Sequence, residues 1–403
     1  MQETYTSIRP GQVWLDTEGK RIQAHGGSVM YLDGLYYWYG ENKEKTTGES
    51  GIWHWGVRCY TSADLYNWED RGVIIPPEPE DPDSPLHPSS MMDRPHIIYN
   101  QRTKKFVCWL KIMQKNGEQT ETVLTADSIL GPYTKVRQGL RPLGMSAGDF
   151  DLAVAPDGKA YYYFERVHSE TICADLTDEY TDVTGYYSTH FPHPYPPYVR
   201  EATAHFVRKN RHYLVTSGTT GYLPNPSEVA AGASWHGPYT VLGDPHPDDA
   251  SRTSYHSQIS SVFKVEGKKD LYVAVADRWA PQDMDLQYEV YSKIFEAIFN
   301  PELREALQKQ QAAQQDRNGE KAQESSGRNQ EKNAAQANPE AVTAQMSAQA
   351  KKSRTGFTPD AARNTSIADY VWLPFRFEEP SPEHPDGMAY LDWKDEWRVE
   401  EYE

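Results

Sequence analysis

An all-β fold, a five-bladed β-propeller, is what this sequence predicts, on three observations. Five segments begin with a polar residue and reach a turn eight residues later: His25 to Asp33-Gly34, Asp93 to Gln101, Asp149 to Asp157-Gly158, Glu201 to Lys209-Asn210 and Gln258 to Glu266-Gly267. Each reads as strand, tight turn, strand, and the segments recur roughly 50 to 70 residues apart, as expected when a four-stranded blade is the repeating unit. Looser outer strands follow four of them. A single repeat series of this kind makes residues 1–403 one domain, although the length alone would allow two or three.

The elements follow in order. The piece GQVWLDTEG near the N-terminus is expected to help close the ring. GGSVMYLDGLYYWYG and CYTSADLYNWEDRG form the first blade, and RPHIIYNQRTKKFVCWL with LTADSILGPYTKV the second. DLAVAPDGKAYYYF with CADLTDEYTDVTG makes the third, and ATAHFVRKNRHYLVTSG with AGASWHGPYTVLG the fourth. ISSVFKVEGKKDLYVAVA starts the fifth, which YVWLPFRFEE and AYLDWKDEW are expected to complete. Closure of such a ring removes exposed strand edges. Between them, residues 296–366 change character: no aromatic stands between Phe299 and Phe357, and the run is rich in Gln, Ala, Lys and Glu. That composition predicts a low-complexity insertion in the last blade, helical from near Pro301 or disordered.

Composition narrows the function. A net charge of -17, with no Lys/Arg cluster outside the insertion, excludes a nucleic-acid partner and disfavours an anionic membrane. No stretch of eighteen apolar residues occurs, and MQETYTSIRPGQVW has neither a basic nor an apolar leader region, so a cytoplasmic location is expected. Cys59, Cys108 and Cys173 lie far apart in strand-like segments and suit reduced core residues. The 27 Tyr and 11 Trp are enough to fill inter-blade cores and leave rings for a binding surface.

The first strand of each blade lines the channel of a propeller, so the five polar residues should converge on one mouth. Three are carboxyls, Asp93, Asp149 and Glu201. Like charges and partial burial raise at least one carboxyl pKa, which keeps a group protonated for general acid work. Glycoside hydrolysis is the commonest chemistry that needs carboxyls and an aromatic-lined pocket without a cofactor. A water-filled channel lined by polar residues is the plainer alternative. Strand alternation sends Arg200 to the opposite face from Glu201, leaving Glu201 inward with Thr203 and His205. Gln258 can hold a sugar hydroxyl or a water as donor and acceptor, and Gly26-Gly27 after His25 allow close approach of backbone or ligand.

These residues resemble family 43 glycoside hydrolases, and more closely the branch of exo-β-1,3-galactanases. The likeness rests on IQAHGG (Ile22 to Gly27), YYWYGENK (Tyr36 to Lys43), CYTSADLYNWEDRG (Cys59 to Gly72), DRPHIIYN (Asp93 to Asn100), REATAHF (Arg200 to Phe206), TSGTTGYLPN (Thr216 to Asn225), SQISSV (Ser257 to Val262) and DYVWLPFRF (Asp369 to Phe377). The resemblance implies inversion at the anomeric carbon, Glu201 as general acid, and Asp149 as the carboxylate that orients the acid and tunes its pKa. Most of that family carries a base Asp on the first inner strand, where this chain has His25, as in the galactanase-like branch. It further implies Gln258 beside the attacking water, with Asp93 (a Glu in the branch) or Glu41 receiving the proton. Glu41, His25, Arg94, Thr220 and Tyr222 fall among its sugar-binding positions.

A departure bears on substrate: WLKIMQKNGEQTETV replaces the branch's W-M-H stretch and following Tyr, with no Tyr from Trp109 until Tyr133. The expected function is therefore an exo-acting inverting hydrolase removing terminal β-galactose, α-L-arabinose or β-xylose from an oligosaccharide. Two alternatives stand beside it. One is a non-catalytic sugar-binding propeller, and the other a glycoside phosphorylase whose phosphate would be held by Arg94, Arg200 and Arg278. Some relatives hold a channel calcium near a histidine matching His256, but calcium prefers six to eight oxygens. No required metal or cofactor is expected.

Overall fold

The structure is a computed structural model that describes residues 4–306, 309, 363–382 and 385–403. Four antiparallel sheets follow chain order from the inside outward. They are β1 (His25–Leu32), β2 (Leu35–Glu41), β3 (Val57–Ser62) and β4 (Glu69–Ile75); β5 (Met91–Asn100), β6 (Lys105–Met113), β7 (Gln119–Ala126) and β8 (Thr134–Leu140); β9 (Ala147–Val154), β10 (Ala160–Arg166), β11 (Glu170–Leu176) and β12 (Val183–His190); β13 (Arg200–Arg208), β14 (Arg211–Gly218), β15 (Glu228–Gly232) and β16 (Tyr239–Gly243). The fifth blade holds β17 (Gln258–Lys264) and β18 (Tyr272–Arg278), with β19 (Asp369–Tyr370) and β20 (Leu373–Pro374) both pairing β18. Inner strands touch in the cyclic order β1, β5, β9, β13, β17 and back to β1, so the ring is closed. The tight turns expected from Asp33-Gly34, Asp157-Gly158 and Lys209-Asn210 carry the positive φ that such turns require.

The fifth blade differs from its expected form. β21 (Arg376–Glu378) pairs only with β22 (Met388–Tyr390), a separate hairpin, so AYLDWKDEW supplies no fourth ladder strand. Instead the tail runs back to the N-terminal segment, where Ile8 and Trp397 exchange backbone hydrogen bonds of 2.9 and 3.0 Å. Gly11 donates to the Tyr370 carbonyl at 2.6 Å. The ring is thus shut by both ends of the chain, as the N-terminal GQVWLDTEG was expected to help do.

The junction of the first and last blades explains much of the tryptophan. Trp38 lies with its ring centroid 5.4, 5.3 and 4.6 Å from those of Trp14, Trp68 and Trp372. Trp38, Trp68 and Trp372 are fully buried. Trp372→Ala should empty this junction and lower stability by about 4 kcal/mol, since the cavity adds to the lost transfer energy. Urea unfolding of the variant checks it. All three cysteines are buried and free, as expected of core residues.

A packed helix precedes the low-complexity stretch, and residues 301–306 are helical and mostly exposed, as expected from near Pro301. α1 (Tyr288–Phe299) buries Tyr288, Tyr291 and Phe295 against Leu223. Of the stretch 296–366, residues 307–308 and 310–362 lie outside the described residues. No helix among the described residues is long and apolar enough to cross a membrane.

Candidate active site

One mouth of the ring opens into a cavity of about 760 Å³, floored by Asp93, Arg94, Asp149, Glu201 and Gln258 from the first residues of four inner strands. A repeated backbone device aims them. The ladder slips between His25 and Ser28, Asp93 and His96, and Glu201 and Ala204, and the residue after each site position is left-handed: Gly26 at φ 60°, Arg94 at 54° and Ala202 at 49°. A bulge lets neighbouring side chains share a face and turns the strand at a sheet end. In the second blade it brings both Asp93 and Arg94 to the cavity. For the non-glycine residues Arg94 and Ala202 the left-handed backbone costs of order 1 kcal/mol each.

His25 does not reach the cavity. It is fully buried, its Nδ1 2.9 Å from Asp277 Oδ1 and its Nε2 3.2 Å from both Gln23 Oε1 and the Tyr370 hydroxyl. Its expected sugar-binding role gives way to a structural one, holding the β1–β18 seam. Gly27 is explained by β2 instead, where a Cβ would collide with the Tyr39 carbonyl: backbone, not ligand, approaches there. The first blade instead contributes Glu41, paired in register with His25 at the end of β2. Thr220 is also displaced from its expected role. Buried, it donates to the Leu223 carbonyl at 2.5 Å and accepts from Asn225 at 2.7 Å, which shapes the loop presenting Tyr222 to the cavity.

The charges are ordered. Asp149 accepts Lys111 Nζ at 2.6 Å and Arg94 Nη2 at 2.8 Å. Burial opposes its ionisation, but the two cations prevail and hold it below the ordinary range. Asp93 accepts the Trp53 indole at 2.7 Å and lies 3.2 Å from Lys111 and 3.9 Å from Lys43. Against burial, these lysines lower it too. Glu41 receives Lys43 at 2.8 Å and the Arg94 amide at 3.0 Å, yet its burial pushes it up to about 7. Glu201 forms no ion pair with any described residue. It lies within the protein volume while keeping part of its surface open to the cavity. Burial first, then the negative charges of Asp149 and Glu165, raise it well above a carboxyl's usual range. One carboxyl is thus pushed toward its protonated form beside another held toward its ionised form, the pattern that separates acid from stabiliser.

Gln258 is fully engaged. Arg94 Nη2 at 2.5 Å and the Trp279 indole at 3.4 Å are donors only, so the amide oxygen faces them. Its nitrogen then donates to Ser217 Oγ at 2.9 Å and Glu201 Oε1 at 3.2 Å. The amide capacity expected to hold a water is spent orienting Glu201. Gln258→Glu should pair with Arg94 and place a like charge against Glu201, raising the acid's pKa further. The alkaline limb of the pH–rate profile is expected to move to higher pH, and an unmoved limb would refute the contact.

An aromatic wall completes the chamber. Tyr222 lies between Trp53, on which it stacks, and Trp279, to which it is tilted, with centroids 5.8 and 4.9 Å away. Arg94 Nη1 is buried without a hydrogen-bond partner among the described residues. Sequence reasoning passed over Lys43, Lys111, Trp53 and Trp279. Lys111 had one legible signal, a charge within the otherwise apolar FVCWLKIM. Arg200 and Arg278, expected as alternatives for binding phosphate, do not line the cavity. Arg200 serves Thr216, the Pro226 carbonyl and Glu228, and Arg278 serves the Tyr255 and Gly11 carbonyls.

Known proteins share this architecture. A solved family 43 β-1,3-galactosidase is 25% identical with a TM-score of 0.68, the match covering 99% of this chain and 64% of that one. A second β-1,3-galactosidase, solved with galactodeoxynojirimycin, is 23% identical over 97% and 100% of the two chains, TM-score 0.68. An exo-β-1,3-galactanase from Phanerochaete chrysosporium with β-1,3-galactotriose is 20% identical over 98% and 68%, TM-score 0.67. A comparison with curated protein sequences returned no match. The model of Glycosyl hydrolases family 43 matches residues 22–283, which hold every cavity residue described above; the chain belongs to that family and is a glycosidase of O-glycosyl bonds.

Proposed function

We propose that the chain is an exo-acting, inverting glycoside hydrolase that removes one terminal sugar, with β-1,3-linked galactose the first candidate, from an oligosaccharide. The observation that carries the reading is Glu201, a raised carboxyl with no ion pair among the described residues, open to the cavity beside a cation-locked Asp149. In this mechanism Glu201 protonates the leaving oxygen, and Asp149 keeps that proton on Glu201 until bond cleavage begins. Because the amide of Gln258 is saturated, Asp93, held ionised by Lys111 and Lys43, receives the proton of the attacking water on the opposite face of the sugar. Arg94, which lines the cavity, and the Trp53–Tyr222–Trp279 wall hold the ring. The galactosidase and galactanase relatives support galactose as the sugar removed.

The test is hydrolysis of aryl β-galactoside, α-L-arabinofuranoside and β-xyloside, beside β-1,3-galactobiose, with and without phosphate, with Glu201→Gln as blank. Release of galactose by the parent alone supports the reading. Phosphate dependence would move it to the phosphorylases, and silence with retained sugar binding would mark a binding propeller.

A further inference from the structure

Beyond residue 283, where the family match ends, the chain inserts α1, and the last turns of this helix line the same cavity through Phe295, Ile298 and Phe299. We infer that α1 and the β6–β7 turn (residues 114–118) form a leaving-group subsite that takes one sugar ring. The inference rests on the glycosidase reading and names the part of the substrate it does not address.

Position comes first. A leaving-group oxygen must meet Glu201, so the ring that carries it lies past Glu201, away from the Glu41 and Asp93 floor. The groups on that side form a chain of contacts. Glu165, whose charge acts on Glu201, receives the His168 amide at 2.7 Å, and the His168 ring meets Phe299 edge-on at 5.2 Å. His168 and Phe299 both line the cavity. The chemistry of this wall suits a sugar. Ile298 and Phe299 are half-buried apolar groups that keep surface toward the cavity, while Gln114 and Asn116 bring amides from the β6–β7 turn. A pyranose presents an apolar face to such rings and hydroxyls to such amides.

The helix is fixed in place. Tyr195 and Tyr198 donate their hydroxyls to Glu296 at 3.3 and 3.0 Å, and Asn300 donates to the Tyr195 hydroxyl at 3.0 Å. The Tyr288 amide donates to the Ser251 carbonyl at 3.1 Å, and the buried face of α1 packs on Leu223, next to Tyr222 of the aromatic wall. A wall pinned to two blades can hold an acceptor ring without paying ordering entropy at each turnover. The stretch WLKIMQKNG, read in the sequence as departing from the galactanase-like pattern, runs from the end of β6 into this turn.

The experiment compares Phe299→Ala with the parent on two substrates: the disaccharide cleaved by the parent and the glycosyl fluoride of the same terminal sugar, whose leaving group has no ring. The disaccharide kcat/KM should fall roughly tenfold, mainly through KM, as expected for a lost ring contact. The fluoride should change less than about twofold, and Phe299→Tyr should restore disaccharide turnover. Equal losses on both substrates would show a structural effect and overturn the subsite, as would an unchanged disaccharide KM. A parent that hydrolyses neither substrate refutes the glycosidase reading itself, and the subsite with it.

Discussion

Glu201→Gln is expected to lower kcat on substrates with poor leaving groups by roughly 10³, the usual scale of a general acid's contribution. Sugar binding should persist, because the amide keeps the shape of the carboxyl. Glycosyl fluoride turnover should largely survive, since fluoride departs with little need of a proton, and the alkaline limb of the pH–rate profile should vanish with the group that titrates there. Stability supplies an independent reading of the same residue. Burial and the neighbouring Asp149 raise the folded-state pKa of Glu201, so the folded chain binds more protons than the unfolded one above the ordinary glutamate range. Its contribution is full below the unfolded pKa and is lost as pH rises through the folded one. Parent and variant should therefore melt alike near pH 4, as unperturbed glutamates titrate there, and the variant should melt higher than the parent in alkaline solution. Undiminished turnover of a poor-leaving-group substrate would remove Glu201 from the acid role.

Lys111→Met is expected to cost about 3 kcal/mol at neutral pH, because it leaves buried carboxylates short of their partner. Lys111 stands 2.6 Å from Asp149 and 3.2 Å from Asp93. Asp149 and Asp93 are lowered in the folded chain, so their stabilisation is present above the unfolded aspartate range and fades as pH falls. Lys111 is raised, so its share is present below the unfolded lysine range and fades only as pH rises through the folded value. Neutral pH lies inside both windows, and urea unfolding there should show the full loss, shrinking in acid. Activity should change in a way simple destabilisation would not produce. Without Lys111, Asp93, the proposed base, titrates higher and the acid limb moves up; Glu201 loses a cation that was lowering it, so the alkaline limb moves up as well. A bell that keeps its position would show that Lys111 does not set these charges.

Blade organisation was legible because strand alternation and turn chemistry are local: the turns eight residues past each polar start, Asp-Gly at two and Lys-Asn at a third, needed no tertiary knowledge. The same phase picked out Asp93, Asp149, Glu201 and Gln258, all of which line the cavity. His25 misled because one phase does not imply one depth. The bulge at Gly26 and the partner Asp277, distant in sequence, draw it under the floor and leave Glu41 at the mouth. Thr220 misled similarly, since only the folded loop shows its hydroxyl committed to Leu223 and Asn225.

By itself the sequence determined the ring, the order of its blades and the set of inner-strand carboxyls, since these follow from periodicity and residue type. Only the tertiary structure decided which carboxyl keeps its proton. That choice depends on where Lys111, Lys43 and Arg94 place their charges across strands and blades, on which face the Gln258 amide turns to its donors, and on how α1, joined to the ring at residues 288–299, meets the cavity. Electrostatic energies vary with distance and burial in space, and neither is carried by position along the chain.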